Sequence, residues 1–145
     1  MLALRKARVV AAQHPGATII GADTTVALDG RLYEKPCDEA DAARMLRELS
    51  GREHLVYTGV AILCAGTQRV FSEKTAVRFT TLSEGDIADY VRSGEPMDKA
   101  GAYGIQGSGA LFVSGISGDF YNVMGLPLCR LWQELRTLGE ENIPR

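Results

Sequence analysis

Apolar positions along the chain switch repeatedly between helical and strand-like spacing. Leu2 to Gln13 reads as a helix with Leu2, Val9 and Val10 among its apolar positions, stopped by His14-Pro15-Gly16. ATIIGADTTVALDGRLYEKP follows as a buried strand with Asp23 at its end, then a hairpin-like turn at Asp29-Gly30. The next helix has Asp38 as its cap, Asp41 in its first turn, a Met45, Leu46 and Leu49 stripe, and Gly51 to close it. HLVYTGVAILCA is a β run, and Arg69 to Leu82 predicts one long strand or two paired across SEK. Ser83 caps a helix with Ile87, Tyr90 and Val91 inward and Gly94 beyond its end. After the glycine-rich DKAGAYGIQGSG, the run ALFVSGISGDFYNVMG reads as a β-hairpin around Ser117-Gly118-Asp119. Pro127 then opens a last helix with Leu128, Leu131, Trp132, Leu135 and Leu138 at helical spacing.

Strands and helices therefore alternate without repeats, which predicts an α/β fold with a mixed β-sheet flanked by helices. With 145 residues, 46% of them hydrophobic, the chain suits a single domain over residues 1–138, followed by a loose tail at 139–145. A net charge of −2 with dispersed Lys and Arg offers no basic face for long nucleic acid. Cys37, Cys64 and Cys129 have neither disulfide-framework nor zinc spacing, so a reducing cytoplasm is the simplest setting. No apolar run approaches the ~20 residues of a membrane span.

Three features could carry chemistry. Asp23, after TIIGA, can bind a metal or take a proton from water, or it can serve as a turn or capping residue. Its GADTT context does not match the DxDGT pattern of aspartyl phosphatases. Lys35, held by Pro36, suits a phosphate, although surface lysines beside prolines are common. No GxxxxGK[ST] is present, so the chain is not a P-loop NTPase. In DKAGAYGIQGSG, Gln106 offers a donor and an acceptor to a base edge, and Tyr103 either packs on a ring or enters the core; the alternative is a tight turn between helix and strand. His54 reads as a structural histidine at a strand start and His14 as a loop residue. Together, the carboxylate, the lysine and the amide loop suggest metal-assisted attack of water on a phosphate-bearing ligand.

The stretches GADTTVALDGRLYEKP, SGREHLVYTGVAI, VRFTTLSEGDIADYVRSGEPMDKAGAYGIQG and NVMGLPL, in this order, resemble the Maf family of nucleoside triphosphate pyrophosphatases. The resemblance spans about residue 2 to residue 138. It implies a Maf/ITPase-like fold and cleavage of the α–β phosphoanhydride bond, giving a nucleoside monophosphate and pyrophosphate with Mg or Mn. By the same resemblance Asp23 is the proton acceptor and a metal neighbour, while Lys35, and Lys6 in LALRKA, contact phosphates. Thr24 and Gln106 look like the branch acting on dTTP and UTP, since the branch acting on 7-methyl-GTP has Gln and Glu at those places. An amide can satisfy the O4 acceptor and N3 donor of uracil or thymine, whereas a carboxylate better accepts guanine's donors. A homodimer and a housecleaning role are further implications.

Family members begin with a strand and a loop of the type LASxSPRR upstream of the LAxxKA helix, and neither is present here. That segment supplies a Ser and two Arg to the phosphates and leads to a Glu that supports the metal, with each charge-assisted bond worth roughly 1.5 to 3 kcal/mol. The expectation is either a start upstream of Met1 or a shortened form with an N-terminal strand absent and reduced or lost activity. The alternatives to a dTTP and UTP pyrophosphatase are thus a nucleotide-binding regulator linked to arrest of cell division, and a 7-methyl-GTP pyrophosphatase.

Overall fold

The computed structural model describes residues 1–141. Helix α1 spans Leu2–Gln13, followed by strands β1 (Ile19–Leu28) and β2 (Arg31–Tyr33), helix α2 (Glu39–Leu49), strands β3 (Glu53–Cys64) and β4 (Thr67–Phe79) and helix α3 (Glu84–Arg92). Short 3₁₀ turns carry the glycine-rich loop to β5 (Val113–Ser117), α4 (Phe120–Met124) and α5 (Leu128–Glu141). No helix among the described residues is long and apolar enough to cross a membrane.

The α/β class holds, with helices flanking one sheet of order β2-β1-β3-β4-β5. Every neighbouring pair runs antiparallel, where a mixed sheet was predicted. The reason lies in the strand order. β2 and β3 do run the same way and are joined through α2, as in a βαβ crossover, but β1 lies between them and opposes both. Asp29 and Gly30 join β1 to β2, and Ala65 and Gly66 join β3 to β4, with positive φ at all four positions; that is the backbone a tight hairpin matching strand twist requires.

Side chains alternate across the sheet, so the even-numbered positions of β3 share one face. One end of that face forms a core in which Val26, Val56, Val77 and Phe79 meet Leu46 and Leu49 of α2 and Ile87 of α3. At the other end Val60, Ile62 and Phe71 pack against Leu131 and Leu138 of α5. Thr58, Thr75 and Asn122 are buried polar residues on β3, β4 and α4. Helix α1 takes the opposite face, laying Ala3 and Ala7 against Ala61. A Cβ on Gly21 would collide with the Ala3 carbonyl, so glycine there is what lets α1 lie directly on β1.

The predicted caps are formed. Asp38 accepts from the Asp41 amide, and Ser83 and Asp86 make a reciprocal capping box. Arg69 to Leu82 contributes to one strand, β4, which is the first of the two arrangements the sequence allowed. In α1 the inward positions are the alanines, and Leu2, Val9 and Val10 are exposed. Three further expectations differ. Asp23 sits mid-strand, since β1 continues to Leu28. The hairpin around Ser117-Gly118-Asp119 does not form: Val113–Ser117 pairs with β4, and Asp119 caps α4 by accepting from the Tyr121 amide. On α5, Leu131 and Leu138 are buried, whereas Leu128 and Trp132 face outward. That helix also runs through Gly139 to Glu141, so the first part of the expected loose tail is helical; its remainder lies outside the described residues.

Candidate active site

β1 pairs with β2 only from Val26 to Leu28, while β3 covers its other edge from Ile19 to Ala27. Beside the open edge, between α1, the loop after β2, the glycine-rich loop and α4, lies a cavity of about 830 Å³. Lys6, Asp23, Thr24, Lys35 and Gln106 all line it. Strand alternation places Asp23 and Thr24 on opposite faces of β1, so the cavity wraps the strand edge and receives one side chain from each face.

On the α1 face, Lys6 donates from Nζ to Asp23 Oδ1 at 2.8 Å. The other carboxylate oxygen of Asp23 has no protein hydrogen bond among the described residues, and the side chain is 29% exposed, so it is open to water or a cation. On the opposite face Thr24 Oγ1 lies 2.9 Å from Thr58 Oγ1, which in turn bonds the Asn122 carbonyl at 3.0 Å. The Asn122 amide donates to the Val56 and Glu73 carbonyls and to Thr75, fastening α4 to β3 and β4.

Lys35 is exposed on the loop after β2. The Glu34 carbonyl accepts from the Gly101 amide at 3.3 Å, which joins that loop to the glycine-rich one. Gln106 is exposed at the cavity wall, with its loop secured on both sides. Glu95 accepts from the Tyr90 hydroxyl at 2.7 Å and from the Ser108 and Gly109 amides at 3.1 and 3.3 Å. The Tyr90 oxygen accepts from the Gly104 amide at 2.9 Å. Burial pushes the Glu95 carboxyl upward, but the Tyr90, Gly109 and Ser108 hydrogen bonds outweigh it, and its pKa is lowered. Burial also raises the Tyr90 phenol, which stays a proton donor at neutral pH.

This latch also accounts for two of the loop's glycines. A Cβ on Gly107 would strike the Glu95 carboxylate, and one on Gly109 would strike the Gly104 carbonyl. The bare backbone is therefore required by the loop's own clamp. Tyr103 enters the core: its ring meets Phe79 edge-on at 4.7 Å and its hydroxyl lies 2.7 Å from His54 Nε2. His54 is the structural histidine expected at a strand start, and burial lowers its pKa to about 4.

Glu95, Tyr90, Thr58 and Asn122 were missed as site-supporting residues. Glu95 carried one readable signal, a carboxylate just upstream of a glycine-rich run whose amides need acceptors. The pairing of Thr58 with Asn122 joins residues 64 positions apart and has no local signature.

The donor set bears on a metal. No three His, Cys, Asp or Glu side chains are grouped to hold an ion among the described residues. A cage made of protein alone is therefore not what this cavity offers. One carboxylate with a free oxygen beside a phosphate-bearing ligand does fit Mg or Mn, which are commonly held by one or two carboxylates plus substrate phosphates.

Fold and cavity together define an α/β protein with an open cavity at a free strand edge, on whose lining lysines and carboxylates converge. The family model described as "Maf-like protein" matches residues 1–138, and the chain belongs to that family. It is 55% identical over 139 residues to a dTTP/UTP pyrophosphatase of Geobacillus sp. (strain WCH70), covering 96% of this chain and 75% of the relative. It is also 55% identical to a dTTP/UTP pyrophosphatase of Symbiobacterium thermophilum, over 95% of this chain and 71% of the relative. A dTTP/UTP pyrophosphatase of Koribacter versatilis is 52% identical, over 95% of this chain and 72% of that protein.

Proposed function

We propose that this chain hydrolyses dTTP and UTP to the nucleoside monophosphate and pyrophosphate. The observation that carries the reading is the convergence of Lys6, Asp23, Thr24, Lys35 and Gln106 on one cavity. The names of relatives at 52 to 55% identity supply the substrate pair.

Asp23 accepts the proton of the attacking water on its free oxygen, while Lys6 holds the carboxylate from the other side. Lys35 neutralises phosphate oxygens as a point charge. Gln106, steadied by the Glu95 latch, offers a donor and an acceptor to the O4 and N3–H edge of uracil or thymine. Mg or Mn, when bound, would lie beside Asp23 and would supply Lewis-acid neutralisation of the anhydride charge. The reading also carries a cytoplasmic housecleaning role and a homodimer, the latter checked by light scattering of the full chain.

The test is pyrophosphate release from dTTP, UTP, CTP and 7-methyl-GTP by the wild type and by Gln106→Glu. Preference for dTTP and UTP that shifts toward 7-methyl-GTP in the variant supports the reading. An unchanged preference removes Gln106 from base recognition.

A further inference from the structure

Hydrogen-bond directions around Thr58 restrict what Thr24 can present to the cavity. Thr58 is fully buried, and its hydroxyl touches two oxygens, that of Thr24 at 2.9 Å and the carbonyl of Asn122 at 3.0 Å. A hydroxyl has one hydrogen, and a carbonyl can only accept. The Thr58 hydrogen is therefore committed to Asn122, leaving its oxygen to accept. The contact between the two threonines is then filled only if Thr24 donates.

Asn122 cannot turn its carbonyl away. Its side chain is held by the Val56 and Glu73 carbonyls and Thr75, and its carbonyl also accepts from the Gly125 amide at 3.1 Å. Since those side-chain partners include two carbonyls, the nitrogen of the amide must face them, which fixes the orientation of α4 on the sheet. The direction runs from Thr24 to Thr58 to Asn122, and it is set at α4 rather than in the cavity.

We propose that Thr24 faces the nucleotide as an acceptor-only hydroxyl, and that Thr58 is a positioning residue that selects ligands offering a hydrogen at that point. This rests on the reading that Thr24 lines a nucleotide site. With Gln106 on the O4 and N3–H edge of the base, the ligand hydrogen is a sugar hydroxyl; were Thr24 to take the N3–H in its place, cytosine, with a lone pair at N3, would face the lone pairs of Thr24 and be rejected.

The experiment compares wild type, Thr58→Val and Thr58→Ser as full chains. Valine keeps the shape and frees the Thr24 hydrogen to turn into the cavity, while the Asn122 carbonyl retains Gly125. kcat/KM is measured for UTP against CTP and for dTTP against 2′,3′-dideoxy-TTP. Thr58→Val is expected to lower one of these ratios by about tenfold or more, and Thr58→Ser to restore it. Loss in the first ratio identifies the base as the donor, and loss in the second identifies the sugar. Both ratios within about twofold of wild type, with dTTP still turned over, would overturn the proposal. A wild type without turnover would sink the functional reading alone. In that case neutron diffraction from crystals of the nucleotide-free chain decides: deuterium on Thr24 pointing at Thr58 Oγ1 supports the relay, and deuterium on Thr58 pointing at Thr24 refutes it.

Discussion

Replacing His54 with glutamine is expected to flatten the acid limb of the stability curve. Burial depresses the imidazole from 6.5 to about 4 in the folded chain, so it remains neutral against Tyr103 and Phe79. Between those two values the unfolded chain binds the proton and the folded chain does not. Stability from this group is thus fully present above about pH 6.5 and is lost as the pH falls to about 4. At 1.36 kcal/mol per pH unit, the gap amounts to about 3 kcal/mol, a large part of the 5–15 kcal/mol typical of a whole domain. Glutamine can still bond the Tyr103 hydroxyl but does not titrate, so its other effects shift the curve without tilting it. Urea unfolding of both proteins from about pH 7.5 to about pH 4 reads the difference in slope. Parallel curves, or a folded-state imidazole titrating near its ordinary value by NMR, would refute the reasoning.

The loop clamp supplies two linked predictions. Glu95→Gln gives up charge-assisted bonds to Ser108 and Gly109 and is expected to weaken the loop by about 1–3 kcal/mol, seen as faster hydrogen exchange at both amides and a raised KM for dTTP. Gly107→Ala places a Cβ against the Glu95 carboxylate and is expected to release the same amides; a double variant no worse than the single ones would show that both act on one latch, while simple additivity would argue against it. In the core, Leu46→Ala removes a fully buried side chain of α2 and is expected to cost about 2–5 kcal/mol by urea unfolding, without altering which nucleotides are preferred.

Punctuation was the most readable layer of this sequence. Asp38 and Ser83 announce α2 and α3 because a cap is a local bond between residues three apart. Asp29-Gly30 announces its hairpin because few other residues adopt that backbone so readily. Strand order was not readable, since nothing local says that β1 inserts between β2 and β3. The missed helix α4 has the same cause. Val113–Ser117 finds its partner in β4, which frees Phe120–Met124 to coil behind the Asp119 cap. In α1 the alanines turn inward because Gly21 and Ala61 leave room for nothing larger, against the usual preference for burying Leu and Val. Asp23 and Gln106 could be singled out by residue type and context, whereas the Thr24–Thr58–Asn122 relay depends on register across β1 and β3 and on where α4 docks.

The central claim is that the carboxylate of Asp23 drives hydrolysis at the cavity beside β1. The most direct measurement is the rate of pyrophosphate and phosphate release from dTTP by the wild type and by Asp23→Asn, with Mg or Mn present. The account predicts pyrophosphate as the released product from the wild type and a rate lower by about 10²-fold or more in the variant. Release of phosphate in place of pyrophosphate, or an undiminished rate in Asp23→Asn, would contradict it.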